Sequence, residues 1–355
     1  MFKKEKKIRL QGNERILIVR TDRIGDLILS TPVAEVLKQK FPQAQIDFLV
    51  ASYTTPILKN NPFITETILD DNKKVQGFFK LRKIIKQKKY HMAVVLHPTL
   101  KLAWLLKSAG VGYRIGTGYR AYSFLFNQKI YQHRKTVEKH ESEYNLDMLA
   151  PVGIENQKIL PKLYLSETEK IEASNYLKKL GIIEDNCFVI IHPGSGGNCL
   201  NWAPEKFGEL AERLMDSYSV KVLVTGQPEE KSLAEKMKSR MKRSFIDLMG
   251  KTDLRLLSAI IEKSDLLISN STGPMHIAAA LGVPTVAIFC PIFTASPKRW
   301  GPYGERDTVI TPPVPACRNC SPQRCERGNC MDLITAEEVF EKVSAALKQK
   351  IKIDK

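Results

Sequence analysis

The sequence predicts an α/β protein of two Rossmann-like domains that face each other across a cleft. The length of 355 residues exceeds what one ordinary hydrophobic core serves and suits two domains of average size. In both halves, short apolar runs alternate with amphipathic segments, which is typical of parallel strands joined by crossover helices. We expect an N-terminal domain over residues 1–165, a C-terminal domain over 166–335 and a final helix over 336–355.

The first half begins with a buried strand, the apolar run at 15–20. A helix at 32–41 follows, with Pro32 suited to its first turn. Further strands are predicted at 45–50 and 92–97, and a strongly basic amphipathic helix at 78–90. This order indicates a parallel sheet with helices between its strands.

The middle of the chain has a weaker apolar signal and more charge. Residues 133–154 look like a surface helix that ends near Gly153. A second helix should begin with Ser166 as N-cap and Glu169 as its capping-box partner. The strand–helix rhythm then restarts and continues to a long amphipathic helix at 335–351, so the second half is a complete α/β domain on pattern alone.

The net charge of +17 predicts attraction to polyanions such as nucleic acid, anionic lipid headgroups or phosphorylated glycolipid. A solvated lysine-rich surface is the plain alternative. No RNP, zinc-finger or helix-turn-helix pattern occurs, so we expect no nucleic-acid partner. No apolar run reaches transmembrane length and the basic N-terminus has no apolar core of a signal peptide, which predicts a cytoplasmic protein.

Polar turns after the predicted strands carry the chemistry, because ligands of open α/β sheets bind at the carboxyl ends of the strands. Four such turns lie at 20–26, 192–202, 225–230 and 269–276. Two of them are small-residue turns suited to a nucleotide diphosphate, although ordinary turns and N-caps would look similar. Their candidate ligand-binding residues are Gly194, Ser195 and Gly196 in one turn, and Ser271, Thr272 and Gly273 in the other.

Other nucleotide motifs are missing from the sequence. It contains no Walker loop and no GxGxxG after the first strand, which disfavours an NTPase and a dehydrogenase. No D-x-D pair is placed to bridge a metal ion to a diphosphate. Asp26, directly after Gly25, could be either a helix N-cap or a general base.

The segments "ILIVRTDRIGDLILSTP", "IIHPGSGGNCLNWAPEKF", "LVTGQPEE" and "SNSTGPMHIAAALGVPTVAIFCP" resemble glycosyltransferase family 9, typified by lipopolysaccharide heptosyltransferases. The resemblance runs from about Arg15 to the last helix. It implies a GT-B fold with the acceptor in the N-terminal domain, the nucleotide sugar in the C-terminal domain and the last helix crossing back. It also implies inverting transfer without a metal or other cofactor, usually from ADP-heptose to an envelope glycan.

The resemblance assigns roles to individual residues. Asp26 matches the general base, and Ser271 to Gly273 match the diphosphate-binding turn. Ser195 matches a second phosphate-facing loop, and Glu229 or Glu230 the carboxylate on the ribose hydroxyls. His276 would either reach the donor or pack against the neighbouring strand.

Two departures weaken the donor assignment. Leu200 stands where many relatives have lysine, so either another cation substitutes, such as Lys298 or Arg299, or the donor is held differently. Ser271 stands where some heptosyltransferases have aspartate. There are therefore two alternatives. The protein could be a family member that uses another nucleotide-hexose donor, or a non-catalytic GT-B protein that binds polyanions. A sugar-nucleotide epimerase is disfavoured because no second carboxylate is placed for it.

On the acceptor side, Gly25, Lys101, Arg114 and Arg120 are candidates to bind a phosphorylated or carboxylated glycan. The basic helix at 78–90 would also allow peripheral contact with the anionic inner membrane. We expect no catalytic metal. The cluster Cys317, Cys320, Cys325 and Cys330 could hold a structural zinc or iron–sulfur centre, but its spacing fits neither well and reduced thiols are favoured.

Overall fold

The computed structural model describes residues 8–70, 75–155, 157–183, 186–197, 200–304, 306–318 and 328–353. The chain divides into two compact units, residues 1–164 and 165–355. Each unit has a six-stranded sheet whose neighbouring strands all run parallel. These two sheets with flanking helices confirm the prediction of two Rossmann-like domains.

The first sheet has the strand order β3-β2-β1-β4-β5-β6, the doubly wound arrangement. Its strands are β1 (Arg15–Val19), β2 (Gln45–Val50), β3 (Glu66–Leu69), β4 (Met92–Val95), β5 (Tyr113–Thr117) and β6 (Gln128–Ile130). Its helices are α1 (Ile24–Ile28), α2 (Pro32–Lys40), α3 (Val75–Lys88), α4 (Leu100–Ser108) and α5 (Glu141–Asp147). Helices α3 and α4 share one core with β1 and β4, while α2 packs with α5.

The second sheet has the order β12-β11-β10-β7-β8-β9, which is the same topology counted from its own first strand. Its strands are β7 (Cys187–His192), β8 (Val220–Val224), β9 (Ile246–Asp247), β10 (Leu266–Asn270), β11 (Thr285–Ile288) and β12 (Asp307–Ile310). Its helices are α6 (Glu167–Lys179), α7 (Pro204–Ser217), α8 (Lys231–Lys238), α9 (Leu254–Lys263), α10 (Gly273–Ala280), α11 (Pro297–Trp300) and α12 (Ala336–Ile353).

The last helix, α12, packs inside the second unit. Val339, Val343 and Leu347 follow each other at one-turn spacing and join the core around α7 and β10. The indole nitrogen of buried Trp202 donates to the carbonyl of Ile334, just before the helix, at 2.9 Å. That the helix also crosses back towards the first domain stays a prediction.

Local capping signals were reliable, whereas the polar middle of the chain was misread. Ser166 caps α6 and Glu169 completes the capping box, as predicted. The predicted surface helix over 133–154 was wrong: only α5 is α-helical there, and Glu141 and Asn145 on it are buried. These polar residues are buried because they bind a charged side chain, described next.

Candidate active site

A buried arginine organises the turn that follows β1. Arg20 is 3% exposed, and its Nε donates to Asp22 Oδ1 at 2.7 Å. Its Nη2 donates to Asp26 Oδ1, and its Nη1 lies 3.5 Å from Glu141 Oε1. One guanidinium therefore faces three carboxylates, and these raise the pKa of Arg20 even though burial alone would lower it.

Helix α5, which lies more than 100 residues further along the chain, supplies further partners to this network. Arg134 Nη1 donates to Glu141 Oε1 at 2.5 Å, which gives that buried carboxylate a second cation. The Asn145 amide donates to the carbonyl of Leu29 at 3.1 Å and to Ser30 Oγ at 3.2 Å. The buried polar face of α5 thus fixes both Arg20 and the end of α1.

Asp26 is the third residue of α1 and does not cap it. The N-cap is Arg23, which makes no side-chain capping bond. The Asp26 carboxylate turns to Arg20 instead, and its side chain remains 16% exposed. This geometry favours a functional carboxylate over a helix cap. Gly25, beside it, is buried, and its carbonyl accepts from the Leu29 amide at 3.0 Å.

The pKa values of the two aspartates in this turn shift in opposite directions. Burial raises the pKa of Asp26 to about 6, and the charges of Asp22 and Glu141 add to the rise, which together outweigh the attraction of Arg20. Burial alone would raise the pKa of Asp22, but the hydrogen bond with His97 and the charge of Arg20 outweigh burial, so the pKa of Asp22 is lowered. The lowered pKa keeps Asp22 ionised at neutral pH, while Asp26 can exchange a proton near neutral pH.

Other polar side chains follow the carboxyl ends of the strands in the same sheet. His97, after β4, places Nδ1 2.8 Å from Asp22 Oδ2. The Tyr53 hydroxyl donates to the Asp22 carbonyl at 2.6 Å. Lys101 Nζ, in the first turn of α4, pairs with Asp70 Oδ1 at 2.6 Å. Arg120, after β5, is exposed.

An aromatic group that the sequence analysis missed lies beside Arg120. Tyr119 and Tyr131 are exposed and meet edge to face, with ring centroids 5.3 Å apart. The Tyr119 hydroxyl lies 2.6 Å from His133 Nε2. The signal for this cluster was present, since the residues follow β5 and β6 at the carboxyl edge of the sheet.

Arg114 lies elsewhere and has a structural role. It is in β5, where its Nε donates to the Leu125 carbonyl at 2.9 Å and its Nη1 to the Val111 carbonyl at 2.6 Å. Burial lowers the pKa of this guanidinium. Because these bonds hold the loop before β6, we leave Arg114 out of the acceptor site.

In the second unit, the small-residue turns meet at the carboxyl ends of adjacent strands. Asn270, at the end of β10, donates to the Pro193 carbonyl at 2.7 Å and accepts from the Trp202 amide at 2.9 Å. His192 Nδ1, at the end of β7, lies 2.9 Å from Thr225 Oγ1. Burial lowers the pKa of His192 to about 4, so its ring is neutral at physiological pH.

The glycines of these turns leave room for a carboxylate. A Cβ atom built on Gly194 would lie 2.1 Å from Glu230 Oε1, and one on Gly226 would lie 3.1 Å from Glu230 Oε2. The carboxylate also accepts from the Gln227 amide at 2.8 Å. Glu229 is exposed, and the carboxylate that lies against these glycines is that of Glu230, so Glu230 is the better candidate of the two.

The turn at the start of α10 is accessible. Ser271, Thr272 and Gly273 are half-buried, and Thr272 is the N-cap without a side-chain capping bond. Ser195 Oγ donates to Asn201 Oδ1 at 2.8 Å, and Gly196 is exposed. His276 is buried within α10.

Leu200 packs on the second core, whereas Lys298, on α11, is exposed. The cysteine cluster is only partly described. Cys317 is half-buried and Cys330 buried, whereas Cys320 and Cys325 lie outside the described residues. Among the residues that are described, no group of three or more His, Cys, Asp or Glu side chains could hold a metal ion. The metal-site hypothesis for the four cysteines stays a prediction.

The family model described as glycosyltransferase family 9 (heptosyltransferase) matches residues 78–330, well over half of the chain. The chain belongs to glycosyltransferase family 9. It is therefore a glycosyltransferase, as the sequence motifs indicated.

Individual relatives align with most of the length of this family 9 glycosyltransferase. It is 28% identical over 275 residues to lipopolysaccharide heptosyltransferase 3 of Escherichia coli K12, covering 75% of this chain and 79% of the relative. The solved family 9 protein of Veillonella parvula superposes with a TM-score of 0.82 at 21% identity, covering 95% and 97%. The E. coli ADP-heptose LPS heptosyltransferase II gives 0.78 at 24%, covering 95% and 99%. These matches confirm the GT-B fold class.

No helix in the described part of the glycosyltransferase combines the length and hydropathy needed to cross a bilayer.

Proposed function

We propose that this glycosyltransferase moves a heptose from ADP-heptose to a lipopolysaccharide-core or related envelope glycan, with inversion and without a metal ion. The family description and the names of the E. coli relatives support the sugar and the donor. The observation that carries the chemistry is Asp26, a partly exposed carboxylate whose pKa of about 6 suits a general base.

The proposed reaction is one in-line displacement. The acceptor hydroxyl gives its proton to Asp26 while its oxygen bonds to the anomeric carbon of the donor sugar. The bond from that carbon to the diphosphate breaks, and ADP leaves with the electron pair. Arg20 keeps Asp26 in position, and Asp22 keeps Arg20 charged and oriented.

The second unit would stabilise the leaving diphosphate. Amides at the start of α10, with the Ser271 and Thr272 hydroxyls, point donors at an anion that the helix dipole also favours. Ser195 would face the other phosphate, and Glu230 the ribose hydroxyls. Lys298 is the exposed cation that could replace the lysine missing at Leu200.

The acceptor would bind along the carboxyl edge of the first sheet. Gly25 lies next to Asp26, the proposed base. Lys101 and Arg120 supply positive charge for phosphate or carboxylate groups. Tyr119 and Tyr131 offer apolar ring surface on which a sugar can stack. Because lipopolysaccharide acceptors are lipid-anchored, we also propose peripheral contact with an anionic membrane.

Calorimetric titration with ADP, UDP and GDP, first metal-free and then with magnesium, tests the donor. We expect ADP to bind best, without needing magnesium. Preference for UDP or GDP would favour another nucleotide-hexose donor, the reading that Leu200 supports. Binding of none of the three would favour a non-catalytic polyanion-binding protein.

The same titration separates the two adjacent glutamates. Glu230→Gln should weaken ADP binding about tenfold, because a neutral amide accepts less strongly from ribose hydroxyls. Glu229→Gln is the matched control and should change affinity less than about twofold, since that side chain is exposed. Equal ADP affinities for both variants would show that Glu230 does not bind the ribose and only accepts the hydrogen bond from the Gln227 amide.

The pH dependence of kcat/KM should report Asp26. Below its pKa of about 6 the carboxylate becomes protonated and cannot accept the acceptor proton, so kcat/KM should fall about tenfold per pH unit. Above that value the rate should reach a plateau, and Asp22 should not contribute because its pKa is lowered. Measuring kcat/KM between about pH 5 and 8 tests this. An acidic limb that persists in Asp26→Asn would assign the proton to another group.

A further inference from the structure

The positive charge of this glycosyltransferase is concentrated in one segment of the first unit. Residues 72–137 contain fifteen lysines and arginines and no aspartate or glutamate. The segment thus accounts for all but two of the seventeen net positive charges. Lysines scattered evenly over the surface would not give this distribution, so the segment is a candidate for binding an anionic partner.

Helices α3 and α4 of this segment lie side by side on one face of the first sheet. Leu81 and Ile85 of α3 share a core with Leu102 and Leu106 of α4. Across the helices, Arg82 Nε donates to the carbonyl of Ser108 at 3.0 Å. The short 3-10 turn at 123–125 also packs against α4, so the three elements form one continuous outer surface.

That surface exposes large apolar side chains. Phe79 of α3 is 61% exposed, and Leu100 and Trp104 of α4 are 57% and 52% exposed. Phe124 of the 3-10 turn is 67% exposed, although its neighbour Leu125 is buried. Leu100 and Trp104 are one helical turn apart and therefore point the same way.

Exposed lysines lie on the same two helices as these apolar side chains. Lys80, Lys83 and Lys86 are exposed on α3, and Lys107 is exposed one turn beyond Trp104 on α4. Within the described ranges, no ion pair involves any of these four lysines. Their charge is therefore not neutralised by neighbouring described carboxylates.

We propose that the outward sides of α3, α4 and the 123–125 turn, here called the α3–α4 surface, dock onto an anionic phospholipid bilayer. Aromatic and leucine side chains would enter the headgroup region, and the lysines would contact lipid phosphates. An anionic bilayer uses both classes of side chain. A nucleic-acid backbone would use the lysines but leave Leu100 and Phe124 in water. The inference makes specific the membrane contact included in the proposed function.

The position of the surface gives docking a consequence for the reaction. Leu100 follows three residues after His97, whose ring bonds to Asp22 in the Arg20 network. The surface therefore begins at the same sheet edge that carries Asp26. Docking would hold this edge at the headgroup layer, where the sugars of a lipid-anchored acceptor begin.

Vesicle sedimentation tests the surface directly. The full-length enzyme is mixed with vesicles of phosphatidylglycerol and phosphatidylethanolamine that contain no glycan acceptor, and with phosphatidylcholine vesicles. We expect binding to the anionic vesicles only, and its loss in about 0.5 M NaCl. Because neither donor nor acceptor is present, failure here leaves glycosyl transfer untouched, and loss of transfer activity leaves this result untouched.

Two variants separate the apolar from the ionic contribution. Trp104→Ala/Phe124→Ala and Lys83→Glu/Lys107→Glu should each lower the partition coefficient about tenfold or more. Lys178→Glu/Lys179→Glu, an equal charge change on exposed lysines of α6, is the matched control and should lower it less than about threefold. An unchanged midpoint of thermal unfolding in all variants verifies the fold.

Tryptophan emission gives an independent readout. Of the three tryptophans, Trp104 is exposed, Trp300 is half-buried and lies outside the α3–α4 surface, and Trp202 is buried, so insertion of Trp104 should shift the emission of the wild type to the blue. Trp104→Phe should bind vesicles yet lose most of this shift. The proposal is overturned if the wild type ignores anionic vesicles, if the α6 control loses as much binding, or if the surface variants lose only affinity for single-stranded RNA.

Discussion

Replacing Asp26 with asparagine should lower kcat by about two to four orders of magnitude while ADP affinity stays within about threefold of wild type. The asparagine oxygen can still accept from Arg20 Nη2, so the turn keeps its geometry. What the variant loses is a group that can take the acceptor proton. The measurement is ADP release from ADP-heptose with a purified core acceptor, together with the calorimetric titration.

Asp22→Asn is the matched control for this experiment. It removes a neighbouring carboxylate of the same network, but one that holds Arg20 and His97 rather than exchanging a proton. We expect its kcat to fall less than about tenfold. If Asp26→Asn loses no more activity than Asp22→Asn, the two carboxylates share a structural role and Asp26 is not the base.

Arg20→Met should destabilise the first unit by about 3–5 kcal/mol, because it leaves Asp22, Asp26 and Glu141 near one another without their shared cation. For a unit of this size, that corresponds to a fall of roughly 10 °C in the midpoint of its thermal transition. The loss of the cation should also raise the pKa of Asp26 further. Differential scanning calorimetry measures the effect.

Arg23→Met provides the comparison, since Arg23 is an exposed arginine in the same turn. It should change stability by less than about 1 kcal/mol. Arg20→Lys should recover part of the lost stability, because it restores the charge without the guanidinium fork. A midpoint in Arg20→Met that equals that of Arg23→Met would show that the buried carboxylates are compensated in another way.

Much of the fold followed from local patterns. Apolar runs predicted β1, β2 and β4, and Ser166 with Glu169 predicted the start of α6. These features depend on residues a few positions apart, which is the range over which capping and periodicity act. Short edge strands such as β9 were missed, because two residues carry no periodic signal.

The candidate site was only half visible in the sequence. The small-residue turns and Asp26 stand next to predicted strands, so their location followed from the rule that ligands bind at carboxyl strand ends. Glu230 could not be separated from Glu229, because the choice depends on which carboxylate lies against Gly194. Arg114 was expected at the acceptor, yet its guanidinium holds backbone carbonyls.

The two α/β domains, the family and the turns that carry polar groups all follow from the sequence. The support of Asp26 depends on the three-dimensional fold, because Arg20 and Glu141 are 121 positions apart and meet through α5. The polar pattern of α5 predicted a surface helix, yet the helix is buried, because its carboxylate and amide bind a buried cation and its neighbours. Periodicity records polarity alone, whereas burial depends on whether a partner elsewhere in the chain satisfies each polar group.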